Sequence, residues 1–173
     1  AGVPSIVVGV VGYELLVVPM GRSSAWAGAA ALAFIMVPII ARTTEEMLRL
    51  VPQSFREGSL ALGATKAQTV LRVVLPAASG SVATGVMLAL ARAAGETAPL
   101  LFTAGTATML TRNLNNPFPS LTVSVFQLAQ DPSPERQQLA WAGILVLITL
   151  IFGVNLAIRL VAARTTRGVR RST

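Results

Sequence analysis

The sequence contains no cysteine and no histidine, and only 12% of its 173 residues are charged. Without cysteine the chain has no disulfide and no thiolate nucleophile, and without histidine it lacks the commonest acid–base group. Zinc sites of the usual kind are excluded, and most enzyme mechanisms lose their best residues. We therefore expect no catalytic residue, no metal and no cofactor, and we expect that the chain is not an enzyme.

Hydrophobic residues are abundant instead, at 53% of the chain, and the mean hydropathy is +0.67. A helix needs roughly 20 apolar residues to cross the hydrocarbon core of a bilayer. Charge-free intervals of about this length cover residues 23–41, 73–91 and 137–158, and the interval 3–20 is interrupted only by Glu14. The stretch 97–111 is shorter, so we expect it to be re-entrant or interfacial. This pattern predicts an all-α, polytopic transmembrane bundle of about four spanning helices.

The 14 Lys and Arg residues are unevenly distributed between the loops. Five lie in the loop 42–76 and five in the tail 159–173, whereas the loop 112–138 holds two. By the positive-inside rule, the loop 42–76 and the tail are cytoplasmic and the loop 112–138 is extracytoplasmic. We interpret the basic tail as an orientation anchor against anionic membrane lipid rather than as a nucleic-acid site.

The chain begins with Ala1 rather than with Met, and its first residues already belong to the first apolar interval. No basic segment of a signal peptide precedes that interval. We therefore expect further membrane helices upstream of Ala1.

The cytoplasmic loop has three sequence patterns of the capping-box type, in which a Ser or Thr and a Glu or Gln three residues later satisfy the free N–H groups of a helix start. They predict three short helices, beginning at Thr43 (with Glu46), Ser54 (with Glu57) and Thr65 (with Gln68). Pro52 separates the first two helices. Gly63 is expected to turn the chain between the second and the third, in a left-handed conformation that other residues avoid.

Glu57, then Gly63 six residues later, then Val73, Leu75 and Pro76 resemble the EAA loop of ABC-importer permeases. That family's pattern has two alanines where this chain has small residues, and isoleucine in place of Val73. The resemblance implies one ABC-importer transmembrane domain over residues 1–173, whose short loop helix docks on a separate ATPase subunit. By the same resemblance the coupling residues are Glu57, Gly58, Ser59, Gly63, Leu75 and Pro76.

Arg92 and Glu96 follow the second charge-free interval and are four residues apart. On a continuous helix they share one face and can form an ion pair. Arg92 lies about 24 Å along the helix from Pro76, in the outer half of the bilayer. Charges at such a depth are costly and usually face a protein interior or an aqueous path. They favour a path in which Arg92 binds an anionic substrate, a structural pair between subunits, or side chains that extend to the outer membrane interface. The same helix has small residues at a four-residue spacing, which allow close helix approach: Ala77, Ser81, Gly85, Ala89 and Ala93.

The segment 92–104 is similar to the one that marks the PstA-type permease subunits of bacterial phosphate importers, above all in the run Thr-Ala-Pro-Leu-Leu that begins at Thr97. The resemblance implies an inner-membrane subunit that imports inorganic phosphate, with Arg92, Glu96 and Thr97 on the substrate path. It also implies a PstC-type second permease subunit, a PstB-type ATPase dimer and an extracytoplasmic phosphate-binding protein. That binding protein is expected to meet the outer loop, with Asp131, Glu135 and Arg136 as candidate contacts.

Three alternatives stay open from the sequence: a permease for another oxyanion, a proton-coupled secondary transporter with Glu14, Arg92 and Glu96 as a relay, and a membrane scaffold without transport. The sequence contains no G-x-x-x-x-G-K-[ST] loop, so the chain itself is not expected to bind ATP. A coupling loop argues against the last two alternatives, because neither needs to dock an ATPase.

Overall fold

The computed structural model describes residues 4–107 and 111–169, with side chains up to residue 162. Within these ranges the chain is helical, and no strand occurs, which confirms the all-α prediction. The helices are Ser5–Gly12 (α1), Val18–Met20 (α2), Ala25–Arg49 (α3), Gln53–Ala61 (α4), Lys66–Thr69 (α5), Leu75–Ala93 (α6), Ala98–Thr103 (α7), Leu121–Gln130 (α8) and Pro134–Val169 (α9).

Three helical segments of the described chain are long and apolar enough to cross a bilayer: Ala25–Arg49, Lys66–Ala93 and Pro134–Ala162. They contain almost all of the three charge-free intervals. The fourth predicted span is helical from Ser5 to Met20 but is shorter than the other three. The chain is thus an all-α transmembrane protein in which three of the predicted spans have spanning length.

Two π-helical segments interrupt the α-helical pattern, Tyr13–Val17 and Val70–Val74, and each ends two residues before a proline. In the second, the N–H of Leu75 donates to the carbonyl of Val70, five residues earlier. Pro76 has no N–H, and in an α-helix its ring would collide with the carbonyl four residues before it. A wider turn relieves this collision. We therefore attribute both π turns to the prolines that follow them.

One compact unit consists of Ala1–Pro38 and Ala91–Val154. In it the short helix α7 packs directly on α1 at Gly9. A Cβ at Gly9 would lie 2.9 Å from Phe102 Cδ2 and 3.0 Å from the carbonyl oxygen of Ala98. A residue larger than glycine at position 9 would therefore collide with α7.

The start of α3 is fixed in the same unit by Ser24, which is fully buried. Its Oγ accepts a hydrogen bond from the N–H of Ala27 at 3.1 Å, as an N-cap residue does. Its own N–H donates to the carbonyl of Thr103 at 3.2 Å, so the end of α7 meets the start of α3. Through these two bonds, Ser24 satisfies a free N–H at the start of α3 and a free carbonyl at the end of α7.

The stretch 97–111, expected to be re-entrant or interfacial, begins with α7, and residues 108–110 lie outside the described residues. With 6 residues, α7 is about 9 Å long and too short to cross a bilayer. Its entry into the membrane stays a prediction.

The second compact unit consists of Ile39–Leu90 and Asn155–Thr173, and it contains α4, α5 and the π turn that leads into α6. Here α3 and α6 approach each other at Gly85, where a Cβ would lie 2.5 Å from Thr43 Cγ2. The predicted close approach on a small residue of α6 is therefore present at Gly85.

The predicted stripe of small residues on α6 is only partly correct. Gly85, Ala89 and Ala93 are buried, whereas Ala77 and Ser81 are exposed. A spacing of four residues advances by roughly 40° per step around an α-helix. The two ends of the stripe therefore face different directions, and Ala78, one position later than predicted, is the buried residue near the start of α6.

The tight contact at Gly9 gives a first testable prediction. Gly9→Ala should destabilise the fold by about 1–3 kcal/mol, because the new methyl group meets backbone atoms that cannot rotate away. The matched control is Gly153→Ala, since nothing lies within 4 Å of a Cβ at that helical glycine. Thermal unfolding of the purified full-length protein in detergent measures both, and equal midpoints for the two variants would contradict the packing described here.

Candidate functional site

The candidate coupling site lies on the loop 42–76 and centres on the turn between α4 and α5. Thr65 caps α5 with both bonds of a capping box, as predicted: its Oγ1 accepts from the N–H of Gln68 at 3.3 Å, and its N–H donates to Gln68 Oε1 at 2.9 Å. The start of α5 is thereby fixed in orientation.

Gly63 ends the preceding helix in the left-handed region, with a φ of 85°. The N–H of Gly63 donates to the carbonyl of Leu60 at 3.0 Å, and the N–H of Ala64 donates to the carbonyl of Ser59 at 3.2 Å. These two bonds form a Schellman motif, which satisfies the last carbonyls of a helix. The prediction that Gly63 turns the chain is confirmed.

A side-chain hydrogen bond joins the two helices beside this turn. Ser59 Oγ and Thr69 Oγ1 are 3.0 Å apart, and Thr69 is buried. The turn, the capping box and this bond together hold α4 and α5 in one arrangement.

The prediction that Thr43 starts a separate helix is wrong, because α3 continues without a break from Ala25 to Arg49. Two ion pairs at a four-residue spacing lie along this part of α3: Arg42 to Glu46 at 3.1 Å, and Arg49 to Glu45 at 2.6 Å. Such pairs stabilise a continuous helix, and no Gly or Pro interrupts the segment. Glu46 therefore pairs with an arginine instead of closing a cap.

The prediction that Ser54 caps the next helix is also wrong by two positions. The helix α4 already begins at Gln53, and its N-cap is Pro52, which forms no side-chain cap bond. Proline fixes φ near the value that a helix start requires, so the helix begins directly after it.

Sequence reasoning missed one contact that orients α4. Arg56 Nη2 donates to the carbonyl of Leu48 at 2.9 Å and so satisfies a carbonyl in the last turn of α3. A cation at a helix C-terminus also interacts favourably with the helix dipole. The available signal was an arginine seven residues after the end of α3.

The six predicted coupling residues lie at the surface of this loop. Glu57 and Gly58 are exposed on α4, Ser59 is half-buried, and Leu75 and Pro76 are exposed where α6 begins. The sequence reasoning missed their apolar neighbours Phe55 and Leu62, which are 54% and 90% exposed.

Their spacing of seven residues puts Phe55 and Leu62 on one side of α4 in a mainly polar loop. That was a readable signal. Phe55 and Leu62 are therefore candidates for a contact surface on this loop.

Arg92 and Glu96 do not share a helical face, contrary to the prediction. The helix α6 ends at Ala93, and the chain turns there through bonds from the N–H of Gly95 to the carbonyl of Arg92 (3.0 Å) and from the N–H of Glu96 to the carbonyl of Ala93 (3.1 Å). No ion pair joins Arg92 to Glu96 in the described part of the chain. The turn at Gly95 ends the helix between the two charges, and Glu96 therefore lies outside α6.

The Glu96 main chain is instead held by a residue that sequence reasoning did not single out. Thr122, at the start of α8, is buried and donates from its Oγ1 to the Glu96 carbonyl at 3.2 Å. Thr97, the third predicted path residue, precedes α7 and forms no side-chain cap bond. The turn that follows Arg92 is thereby anchored to α8.

Asp131 organises part of the outer loop. Its carboxylate accepts from the N–H of Ser133 at 2.9 Å and from Arg136 Nη1 at 3.0 Å, and its carbonyl accepts from Gln137 Nε2 at 3.0 Å. Glu135 is exposed beside this cluster. The loop therefore presents a preformed surface before α9.

Two further predicted features are located by the structure. Glu14 lies in the π-helical segment Tyr13–Val17 with an exposed side chain. The tail continues α9 as far as Val169. The side chains of its arginines at 164 and 167, and residues 170–173 entirely, lie outside the described residues.

Comparison with known proteins identifies the family. The family model described as "Binding-protein-dependent transport system inner membrane component" matches residues 1–167. The chain belongs to this family. Its members are membrane components of transport systems, so the three spanning helices and the loop 42–76 are parts of a transport subunit.

Several curated relatives of this inner membrane component carry one name. The "Phosphate transport system permease protein PstA" of Yersinia pestis is 44% identical over 161 residues, covering 93% of this chain and 55% of the relative. The protein of the same name from Haemophilus influenzae is 43% identical over 157 residues, which cover 91% of this chain and 56% of the relative. The "Probable phosphate transport system permease protein PstA" of Methanocaldococcus jannaschii is 41% identical over a stretch that covers 90% of this chain and 56% of the relative. The chain spans about half the length of these relatives. No solved structure matches it.

The turn at Gly63 gives a second prediction, in which one chemical change has opposite effects at two glycines of this loop. Gly63→Ala should destabilise the turn by about 1–2 kcal/mol, because a residue with Cβ is strained at this φ. Gly58→Ala should stabilise α4 by about 0.5–1 kcal/mol, because alanine favours the helix. Nothing lies within 4 Å of a Cβ at either site, so neither effect is steric.

Limited trypsin digestion of the full-length protein measures this difference at Lys66, next to the turn. Gly63→Ala should be cleaved faster than the wild type, and Gly58→Ala no faster. Equal cleavage of the two variants would exclude a special backbone requirement at Gly63.

Proposed function

We propose that this chain is a transmembrane subunit of an ATP-driven importer of inorganic phosphate in the bacterial inner membrane. The observation that carries the proposal is the geometry of the loop 42–76. The residues that resemble the EAA pattern include two short helices, α4 and α5, whose connection is held by a Schellman motif at Gly63 and a capping box at Thr65. Phosphate as the substrate is supported by the names of the curated relatives.

ATP hydrolysis takes place on a partner subunit in this proposal, and α4 is the element that the partner contacts. Its exposed surface combines Glu57 with the apolar side chains Phe55 and Leu62. Apolar and aromatic side chains are typical of the core of protein interfaces, and charged residues are typical of the rim. The segment after the turn leads through α5 and the π turn directly into α6, so a displacement of the loop reaches the helix that carries Arg92.

Arg92 is the proposed contact for the transported anion. Its side chain is exposed, and it has no carboxylate partner in the described residues. A guanidinium donates two parallel hydrogen bonds to phosphate oxygens, which favours this anion over a monovalent halide. Glu96 and Thr97 line the same turn, where Thr122 holds the main chain in position.

Other subunits are needed to complete the transporter. In the most apolar window of Pro134–Ala162, none of the residues is buried inside the chain. Lipid and a second, PstC-type permease subunit would cover such a surface. A PstB-type ATPase dimer would bind the loop 42–76, and an extracytoplasmic phosphate-binding protein would bind the outer loop around Asp131, Glu135 and Arg136.

The membrane orientation is part of the proposal. The ten cationic residues of the loop 42–76 and the tail 159–173 support a cytoplasmic position for both segments, including the C-terminus. A proton-coupled carrier with Glu14, Arg92 and Glu96 as a relay is less well supported, because an ATPase-docking loop has no role in it.

Transport by membrane vesicles tests the proposed function. Vesicles that contain the full-length chain with its permease, ATPase and binding-protein partners should take up labelled phosphate only when ATP is supplied. Uptake driven by a proton gradient without ATP would favour the secondary carrier. Equal uptake of sulfate in competition with phosphate would favour the permease for another oxyanion, and failure of an ATPase to copurify would exclude the coupling role.

The role of Arg92 gives a separate prediction. Arg92→Ala should lower phosphate uptake at least about tenfold, because a hydrogen bond to a charged group contributes about 1.5–3 kcal/mol. The partner subunits should still copurify with the variant. Arg112→Ala is the matched control, since Arg112 is exposed on the outer loop. Normal uptake by Arg92→Ala would assign Arg92 a structural role instead.

A further inference from the structure

The helix α9 has a packed side that holds it against the rest of the first compact unit. Ala140 is buried on this side, and a Cβ at Gly143 would lie 2.6 Å from Val125 Cγ2 of α8. Ile151 continues the same side, since its Cδ1 lies 3.2 Å from the Cβ position of Gly95. The packed side of α9 therefore begins with two small residues, which let α8 approach closely.

A second side of α9 carries large apolar residues that this chain leaves exposed. The exposed fractions are 72% for Trp141, 68% for Leu145, 60% for Ile148 and 68% for Phe152. Spacings of four, three and four residues put all four side chains within roughly 60° around the helix axis. We call this side the Trp141 face. In a membrane it needs either lipid or another protein segment as a cover.

Side-chain size separates these two covers. Because lipid tails are as apolar as leucine, membrane helices associate through close packing, which small residues at the contact allow. The helix contacts inside this chain follow that rule. A Cβ would lie less than 3.0 Å from another segment at Gly9, Gly28, Gly85 and Gly143. The Trp141 face has only large side chains, so a second helix could not approach it as closely, and lipid is the better cover.

The two ends of the Trp141 face match the two boundaries of a bilayer. Arg159 follows Phe152 by seven residues and continues this face of the helix. The helix is about 27 Å long from Trp141 to Arg159, close to the hydrocarbon core of about 30 Å. Tryptophan is enriched at membrane interfaces, and arginine is enriched at the cytoplasmic boundary. With the tail cytoplasmic, Trp141 lies at the outer boundary and Arg159 at the inner one.

We propose that the Trp141 face lies against membrane lipid, with the Trp141 indole among the outer headgroups and the side chains of Leu145, Ile148 and Phe152 against acyl chains. The second permease subunit then meets the chain on another surface. This assignment rests on the membrane orientation of the proposed function, but not on phosphate as the substrate. Absence of lipid contact would leave ATP-driven phosphate uptake standing, and failure of that uptake would leave the lipid contact standing.

Spin labels at two neighbouring positions test the proposal in the full-length complex in lipid vesicles. Since residues 1–173 contain no cysteine, Ile148→Cys adds a single attachment site to this part of the protein. Leu147→Cys is the matched control at almost the same depth, because Leu147 is half-buried between Gly143 and Ile151 on the packed side. Oxygen dissolved in the bilayer should relax the label at position 148 severalfold more than the label at position 147. A water-soluble nickel complex should relax neither label.

The two relaxing reagents distinguish three surroundings of the label at position 148. Strong relaxation by oxygen with weak relaxation by nickel is the result expected for lipid. Weak relaxation by both reagents would show that another protein segment covers the face. Strong relaxation by nickel would show that the face lines an aqueous path. Either of these two results would overturn the proposal, and so would equal oxygen relaxation at positions 148 and 147.

A bulky substitution gives a check that needs no label. Ile148→Trp should leave the copurification of the partner subunits at the wild-type level, because fluid lipid accommodates a larger side chain. Gly143→Trp is the contrasting variant, since its side chain would collide with Val125, and it should lower the yield of assembled complex. Loss of the partner subunits in Ile148→Trp would identify the Trp141 face as a subunit interface and contradict the lipid contact.

Discussion

Buried peptide groups at helix ends depend on partners inside the chain, because no water can reach them to replace a missing hydrogen bond. The buried end of α7 meets this requirement at Ser24, whose N–H binds the Thr103 carbonyl while its hydroxyl caps α3. Thr122 does the same for the Glu96 carbonyl. Ser24 and Thr122 thus hold the two ends of the segment that contains α7. The positions of Glu96 and Thr97, two of the candidate path residues, depend on these bonds.

The same requirement explains which features were predictable from sequence. Gly63 and Thr65 were recognisable because a left-handed glycine and a capping box act within a few residues. Span positions were also recognisable, since absence of charge over a membrane thickness is a property of one segment. Predictions based on local pattern failed at Thr43, where two ion pairs extend α3 through an apparent cap.

Long-range contacts had no usable signal in a single sequence. The bond from Thr122 to Glu96 joins residues 26 positions apart, and nothing near Thr122 marks it as a partner. The Arg92 to Glu96 pair was expected because the prediction assumed that the helix continued to Glu96, whereas α6 ends at Ala93 and the chain turns at Gly95. The exposed side chains Phe55 and Leu62 had a readable signal, because they are seven residues apart in a mainly polar loop.

The π turn Val70–Val74 has a consequence for chain length. A π turn contains one residue more than the α turn it replaces, so removal of a single residue there would restore a regular helix at little cost in backbone hydrogen bonding. Every later residue of α6 would keep its direction about the helix axis, so Gly85 would remain against Thr43. A deletion in the α-helical part of the span would instead rotate all residues after it by roughly 100°. The π turn is therefore a place where the length of the chain can change by one residue without a change in the direction of the span.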